Sequence, residues 1–308
     1  MSASASPSPC VCGVIVTYKP DHVTLGRLLD ALAEQLDAIV IVDNGSGDAL
    51  ANWIAARGQS REIFVALGDN LGIAAAQNRG IARARQLGAS HVALFDHDSE
   101  PAPDMVSRLL QCLLRLESEG RRPASVGPRY MDSRQDNPPP FIRVRGLSLA
   151  RCMQAEEGDA VEVDYLIASG CLMPMTAIDV VGDMDEALFI DYVDIEWGQR
   201  ARSKGFHNFG CFSAAMAHSL GDEPIRFCGT AYPARSPLRH YYMFRNAVLL
   251  YRMPHIPRDW KLADGLRAVL RFGFYALLAR PRHQHATMML RGIADGLRGR
   301  GGKLEQKQ

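Results

Sequence analysis

Apolar runs rich in β-branched residues alternate with stretches of helical periodicity through the first third of the chain. The runs CVCGVIVTYK (10–19), AIVIVDNGS (38–46), EIFVALGDN (62–70) and HVALFDHDS (91–99) read as strands. Between and after them, helical patterns fall near 22–35, 48–57, 72–87 and 104–118. This alternation predicts βαβ units and an α/β fold with a mostly parallel, Rossmann-like central sheet flanked by helices. In such sheets ligands collect at the carboxyl ends of the strands, where loops and helix N-termini converge. All four strands deliver polar groups to that edge: Thr17-Tyr18-Lys19, Asp43-Asn44-Gly45-Ser46, Asp69-Asn70 and Asp96-His97-Asp98. Taken singly, each is also a good turn or helix cap. Four in succession point to a site.

Asp96-His97-Asp98 is the most chemical of the four. Alternate residues on an extended backbone converge only where the strand turns, and Pro101 and Pro103 favour that turn. Two hard carboxylate oxygens suit Mg²⁺ or Mn²⁺, which fill the rest of their coordination with water and substrate phosphate. The competing reading is a surface turn whose acids cap the helix starting near Asp104.

The second half of the chain has a different character. Residues 238–282 mix Arg with aromatic and aliphatic side chains, and Leu262, Leu266, Leu270, Phe274 and Leu277 fall at helical spacing. The formal net charge of +1 hides an asymmetry: between Arg235 and Lys303 stand 14 Lys and Arg against three Asp. The longest apolar run there, FGFYALLA (272–279), is too short to span a bilayer, which takes about 20 residues. Two roles stay open for this helical C-terminal appendage. It could lie on anionic lipid, with Arg267, Arg271, Arg280 and Arg282 at the headgroups and Leu266, Leu270, Phe274 and Leu277 below them. Alternatively it is a cap packed on the preceding domain or on a second subunit, giving a homo-oligomer. No recognised nucleic-acid motif accompanies the basic residues, so nucleic acid is not an expected partner.

An apolar fraction of 47% over 308 residues supports a substantial core. Seven cysteines without paired CxxC spacing give neither a disulfide framework nor a zinc site and point to a reducing compartment. MSASASPSPC lacks the charged and apolar regions of a signal peptide, so residues 1–9 read as a disordered lead-in and the protein as cytoplasmic.

Six segments in order, VIVTYKP (14–20), IVDNGS (41–46), GDNLGIAAAQNRGI (68–81), LFDHDS (94–99), ASGCLMP (168–174) and FIDYVDIEWGQRA (189–201), resemble the family 2 glycosyltransferases of GT-A fold. Among these the bacterial rhamnosyltransferases are most similar. The resemblance covers roughly residues 11–221 and implies a GT-A domain over 10–221 followed by the basic helical region 222–308. It implies inverting transfer of L-rhamnose from dTDP-L-rhamnose to a saccharide or lipid-linked saccharide of a bacterial surface polysaccharide, at the inner face of the membrane.

For a nucleotide sugar, Asp43 could accept a hydrogen bond from the imide N–H of thymine or uracil. Thr17, Tyr18, Lys19 and Asn44 would flank base and ribose. Asn70, Gly72 and Asn78 sit at or near the start of the third helix, where free N–H groups favour anions. The resemblance places the metal on Asp96 and Asp98, with His218 as a further ligand and His97, where the family usually carries glutamine, beside the donor. It puts the general base on Asp194, with Asp191 and Glu196 as neighbours, and the acceptor near Ser169, Gly170 and Trp197. Helix capping by Asp191 or Asp194 is the alternative.

Three other classes fit less well. A haloacid-dehalogenase-type phosphatase needs DxDx[TV] after its first strand, whereas here the fifth position is Glu100 and the motif ends the fourth. A sugar-1-phosphate nucleotidyltransferase needs a glycine-rich loop where VTYKP stands. Intact Asp98 and Asp194 argue against a noncatalytic nucleotide-sugar-binding module.

Overall fold

The computed structural model describes residues 8–131, 141–146, 148–153, 155, 158–217, 222–227 and 230–305. In chain order the elements are β1 Val11–Thr17, α1 His22–Ala33, β2 Ala38–Asp43, α2 Asp48–Arg57, β3 Glu62–Ala66, α3 Ile73–Gln86, β4 His91–Asp96, β5 Glu100–Pro101 and α4 Met105–Ser118. There follow β6 Pro123–Met131, β7 Phe141–Arg145, β8 Ser148–Cys152, β9 Ala160–Val163, β10 Leu172–Pro174 and α5 Met175–Val181. A 3-10 turn at Glu186–Leu188, α6 Val193–Ser203, β11 His207–Ala217, β12 Asp222–Phe227, β13 Thr230–Ala234, α7 Pro237–Arg252, α8 Arg258–Leu278 and α9 Arg282–Leu297 complete the chain.

Among the described residues the central sheet has nine strands. Strands β3, β2, β1 and β4 lie side by side and parallel. Beyond β4 the sheet turns mixed: β10 runs antiparallel between β4 and β6, and β11 lies parallel to β6 while β5 and β9 pair antiparallel with it. Every residue of β1 is buried, as expected of a parallel strand covered on both faces. One face of the sheet packs on α1, α2 and α4 through Leu25, Leu29, Leu50, Leu109 and Leu113. The other packs on α3, α5 and α6 through Ala76, Ile81, Ile178 and Trp197.

The C-terminal helices belong to that second layer. Met243, Phe244, Ala247, Leu250, Trp260, Tyr275 and Met289 lie in the same apolar cluster as Val14, Val42 and Trp197. Their inner faces are therefore part of the core, as a packed cap requires. Among the described residues no helix is long and apolar enough to cross a membrane.

Candidate active site

A cleft of about 650 Å³ opens over the carboxyl ends of β1, β2 and β4, walled on its far side by the Phe189–Asp194 segment, α7 and α8. Tyr18, Asn44, Asn70, Gly72, Asp96, His97, Asp98, Ser169, Asp191 and Asp194 all line it. Residues from four strand ends and from a segment nearly a hundred positions later thus share one space.

At the β1–β2 end, two turns are stitched together beneath the cleft. Asn44 Oδ1 accepts Leu71 N–H at 2.8 Å and its amide donates to Asn70 Oδ1 at 3.2 Å. Asn70 Oδ1 also accepts Gly72 N–H at 3.0 Å. Gly72 has φ +91°, and a Cβ there would meet Phe189 O at 2.6 Å, so glycine is needed for the close approach of α3 to the Phe189 segment. Asp43 is buried, accepting Thr17 Oγ1–H at 3.2 Å and Ser46 N–H at 2.9 Å. An ionised carboxylate has about four acceptor positions, so capacity remains for a further donor. Thr17, Lys19 and Asp43 support the turn without lining the cleft. Asn78 does not line it either: its amide donates to Met184 O and to Glu186 Oε1, each at 3.0 Å, and its oxygen accepts Met184 N–H at 2.8 Å. That set ties α3 to the 3-10 turn.

The Asp96–Ser99 turn is fixed from behind by Ser169. Its hydroxyl accepts Asp96 N–H at 3.1 Å and pairs with Ser99 Oγ at 2.6 Å. Gly170, at φ +77°, donates its N–H to Leu94 O, and a Cβ there would meet Pro128 at 2.8 Å. Expected at the acceptor, Ser169 and Gly170 hold the acidic turn in place. Trp197 is buried in the core with its indole N–H donated to Gly182 O at 2.8 Å, and it does not line the cleft. His218 lies outside the described residues.

The acids of the FIDYVDIEW segment separate by environment. Asp191 receives Arg239 in bidentate fashion, at 2.7 and 3.0 Å, and Arg235 at 2.9 Å. Glu196 is buried against Arg200 and His255, at 2.9 and 2.8 Å. Asp194 has no cation partner among the described residues. Burial, reinforced by the charges of Asp191 and Asp96, pushes its carboxyl up to about 6. The helix-cap reading is corrected: Tyr192 is the N-cap of α6 and no side chain caps it.

Phe189, Asp191 and Tyr192 all have positive φ, between 62° and 66°, a conformation that costs about 1–3 kcal/mol at each non-glycine residue. Asn246 on α7 offsets the strain. Fully buried, it donates to Leu188 O, Ile190 O and Asp191 O, each at 2.8 Å, and accepts Arg245 Nε–H at 2.9 Å. Arg245 in turn donates to Ala187 O at 3.1 Å and Leu188 O at 2.9 Å.

The chain pattern alone does not mark the far wall: Tyr165, Arg235, Arg239, Trp260, Asp264, Arg267 and Arg271. Asp264 is buried, accepting Tyr192 Oη–H at 3.0 Å, Tyr251 Oη–H at 2.8 Å and Arg271 Nη2–H at 2.7 Å. Arg271 is therefore turned inward, a correction to its expected place at lipid headgroups. The available signal was that 260, 264, 267 and 271 recur at helical spacing opposite the leucines of the same helix.

Paired acids at the end of β4, a buried acid across the cleft and a polar nucleotide-sized groove over a parallel sheet define a sugar-nucleotide-dependent transferase of GT-A architecture. The chain belongs to glycosyl transferase family 2: the family model matches residues 13–141, and a whole-length relative is 30% identical. That relative is dTDP-rhamnosyl transferase RfbF of Shigella flexneri, matched over 94% of this chain and 96% of its own. Galactofuranosyltransferase GlfT1 of Mycolicibacterium smegmatis is 26% identical over 88% of this chain and 90% of its own. Among solved structures, S. aureus TarS 1–349 in complex with UDP-GlcNAc superposes with TM-score 0.59 at 16% identity, covering 94% of this chain and 81% of that one. GalNAc-T7 with UDP, GalNAc and Mn2+ gives 0.58 at 11% identity, covering 94% and 56%. At these identities the structures establish the shared fold.

Proposed function

We propose that this glycosyltransferase moves L-rhamnose from dTDP-L-rhamnose, with inversion, to a hydroxyl of a lipid-linked saccharide on the cytoplasmic side of the membrane. The observation that carries the chemistry is Asp194, a carboxylate without a cation partner among the described residues, facing Asp96 and Asp98 in one cleft. The match to a rhamnosyltransferase along nearly the whole of both chains, C-terminal wall included, supports the choice of sugar.

Asp96 and Asp98 would hold a divalent cation, Mg²⁺ or Mn²⁺. The donor set fits: two carboxylates present hard oxygens to the cleft, and the Asp96 charge is felt at Asp194 and at Tyr130, whose acidities it lowers. When bound, the cation supplies charge neutralisation for the diphosphate leaving group. Asp194 takes the acceptor hydroxyl's proton as that oxygen attacks the anomeric carbon and the bond to the diphosphate breaks. A single displacement, with the acceptor oxygen attacking opposite the departing diphosphate, gives inversion. Asp191, neutralised by two arginines, holds the cleft wall instead. Tyr18 and Asn44 line the cleft and would flank the base, and Asp43, set just beneath them, would use its remaining acceptor capacity for the imide N–H.

A panel of dTDP-L-rhamnose, UDP-GlcNAc, UDP-glucose and UDP-galactofuranose, with Mn²⁺ or with chelator, tests this reading by hydrolysis and thermal stabilisation. The largest effects should come from dTDP-L-rhamnose with Mn²⁺. A UDP-sugar preferred over it would overturn the choice of donor.

A further inference from the structure

Helix α8 has two faces of unlike chemistry. Toward the interior it presents Trp260, Asp264, Arg267 and Arg271 to the cleft wall. Away from it, Leu262, Leu266, Val269, Leu270 and Leu277 are 54–69% exposed and recur at helical spacing along one side. Single exposed leucines need no explanation, but five exposed aliphatic side chains along one side of a 21-residue helix do. Exposed cations stand at both of its ends: Arg258 one turn before Leu262 on the same side, and Arg280 and Arg282 at the turn into α9. The exposed acid beside the stripe is Asp259, whereas Asp264 and Asp295, the other acids between Arg235 and Lys303, are buried in ion pairs.

We infer that the outer face of α8 seats on an anionic membrane surface and holds the cleft at the level of the lipid headgroups. An apolar stripe with flanking arginines and no exposed acid along its middle is the pattern that interfacial helices use. A second copy of this chain is a poorer occupant, because two such faces would bring Arg258, Arg280 and Arg282 against their own counterparts. Dimensions agree as well. Such a face sinks about 5–10 Å into the headgroup boundary, and a helix with its side chains is about 10–12 Å across. The cleft wall built by Arg267 and Arg271 then stands at or just above the phosphates, where the sugar of a lipid-linked acceptor emerges. This last step rests on the proposed transferase reading; the membrane contact itself rests only on exposure and charge.

The test uses the full chain and vesicles of phosphatidylethanolamine with 30% phosphatidylglycerol, against vesicles of pure phosphatidylcholine. Wild-type protein should co-sediment with the anionic vesicles and ignore the neutral ones. It should come off near 0.5 M NaCl, where the screening length falls to about 4 Å. The double variant Leu266→Glu/Leu270→Glu should lose at least tenfold in vesicle affinity while hydrolysing dTDP-L-rhamnose in free solution at the wild-type rate. No wild-type binding, equal binding to neutral vesicles, or binding untouched by the double variant would each overturn the inference. So would a wild-type dimer in solution that the double variant makes monomeric, since the stripe would then be a subunit interface. Vesicle binding without hydrolysis by either protein would support the surface and refute the transferase reading alone.

Discussion

A carboxylate serves as a base near neutrality only when its proton affinity approaches that of the medium, and Asp194 is raised to about 6 by burial and by its acidic neighbours. The sign of the pH effect follows. The base form is lost as pH falls through the folded pKa, so kcat should fall below about pH 6, and a cation held by Asp96 and Asp98 would move that limb lower by favouring the ionised form. A kcat profile at saturating donor checks this; an acid limb above pH 7 would be inconsistent with Asp194. Asp98→Ala should abolish transfer and weaken dTDP binding, and the chelator should then have no further effect. Calorimetry of dTDP binding with and without Mn²⁺ measures it. Asp43 should behave differently, since its proposed link is to the base and not to the reacting carbon. Asp43→Ala should raise the donor KM by roughly 1–3 kcal/mol of lost hydrogen bonding and leave kcat at saturation near wild type.

Elements explain why some site residues were legible in the chain and others were not. The strand ends were, because an apolar run that stops in Asp-Asn or Asp-His-Asp announces its own carboxyl edge. Ser169 was legible as a site residue but not in its role: only the fold reveals that its hydroxyl props up the acidic turn from 70 residues away. Asn246 was invisible, because an asparagine inside a helical pattern reads as a neutral surface position. In the structure its single amide holds three carbonyls of the strained 188–191 segment. Asn246→Leu takes the side-chain donor from the Ile190 and Asp191 carbonyls, while Leu188 O keeps Arg245, and each carbonyl left unpaired costs about 1–3 kcal/mol. It should lower the melting temperature by several degrees and reduce kcat more than donor KM, because the segment positions Asp194. Thermal unfolding and steady-state kinetics of the variant check both. α8 was half legible: its leucine stripe was plain, but the periodicity could not say that Arg271 turns inward or that Phe274, packed against the core, leaves the stripe.

At the scale of the whole molecule, the parallel half of the sheet and α3 supply the strand-edge end of the cleft, where the nucleotide is proposed to lie, while α7 and α8 close the other. The split between a GT-A domain and an appendage describes the order of the chain better than its packing. The core shared by Met243, Phe244, Trp260 and Val14 implies that truncation after residue 220 should give aggregated protein, as gel filtration would show. A soluble, folded fragment would mean that the helices dock without completing the core. The central claim is that the two ends meet at one base, and Asp194→Asn tests it most directly, since it keeps the side chain's size and removes only its ability to take a proton. Binding of dTDP-L-rhamnose with Mn²⁺ and turnover should be measured on the same preparation, beside Asp191→Asn. The account predicts wild-type donor affinity and turnover reduced by about 100-fold or more in Asp194→Asn. Near-normal turnover in that variant, with loss in Asp191→Asn instead, would contradict it and move the base three residues upstream.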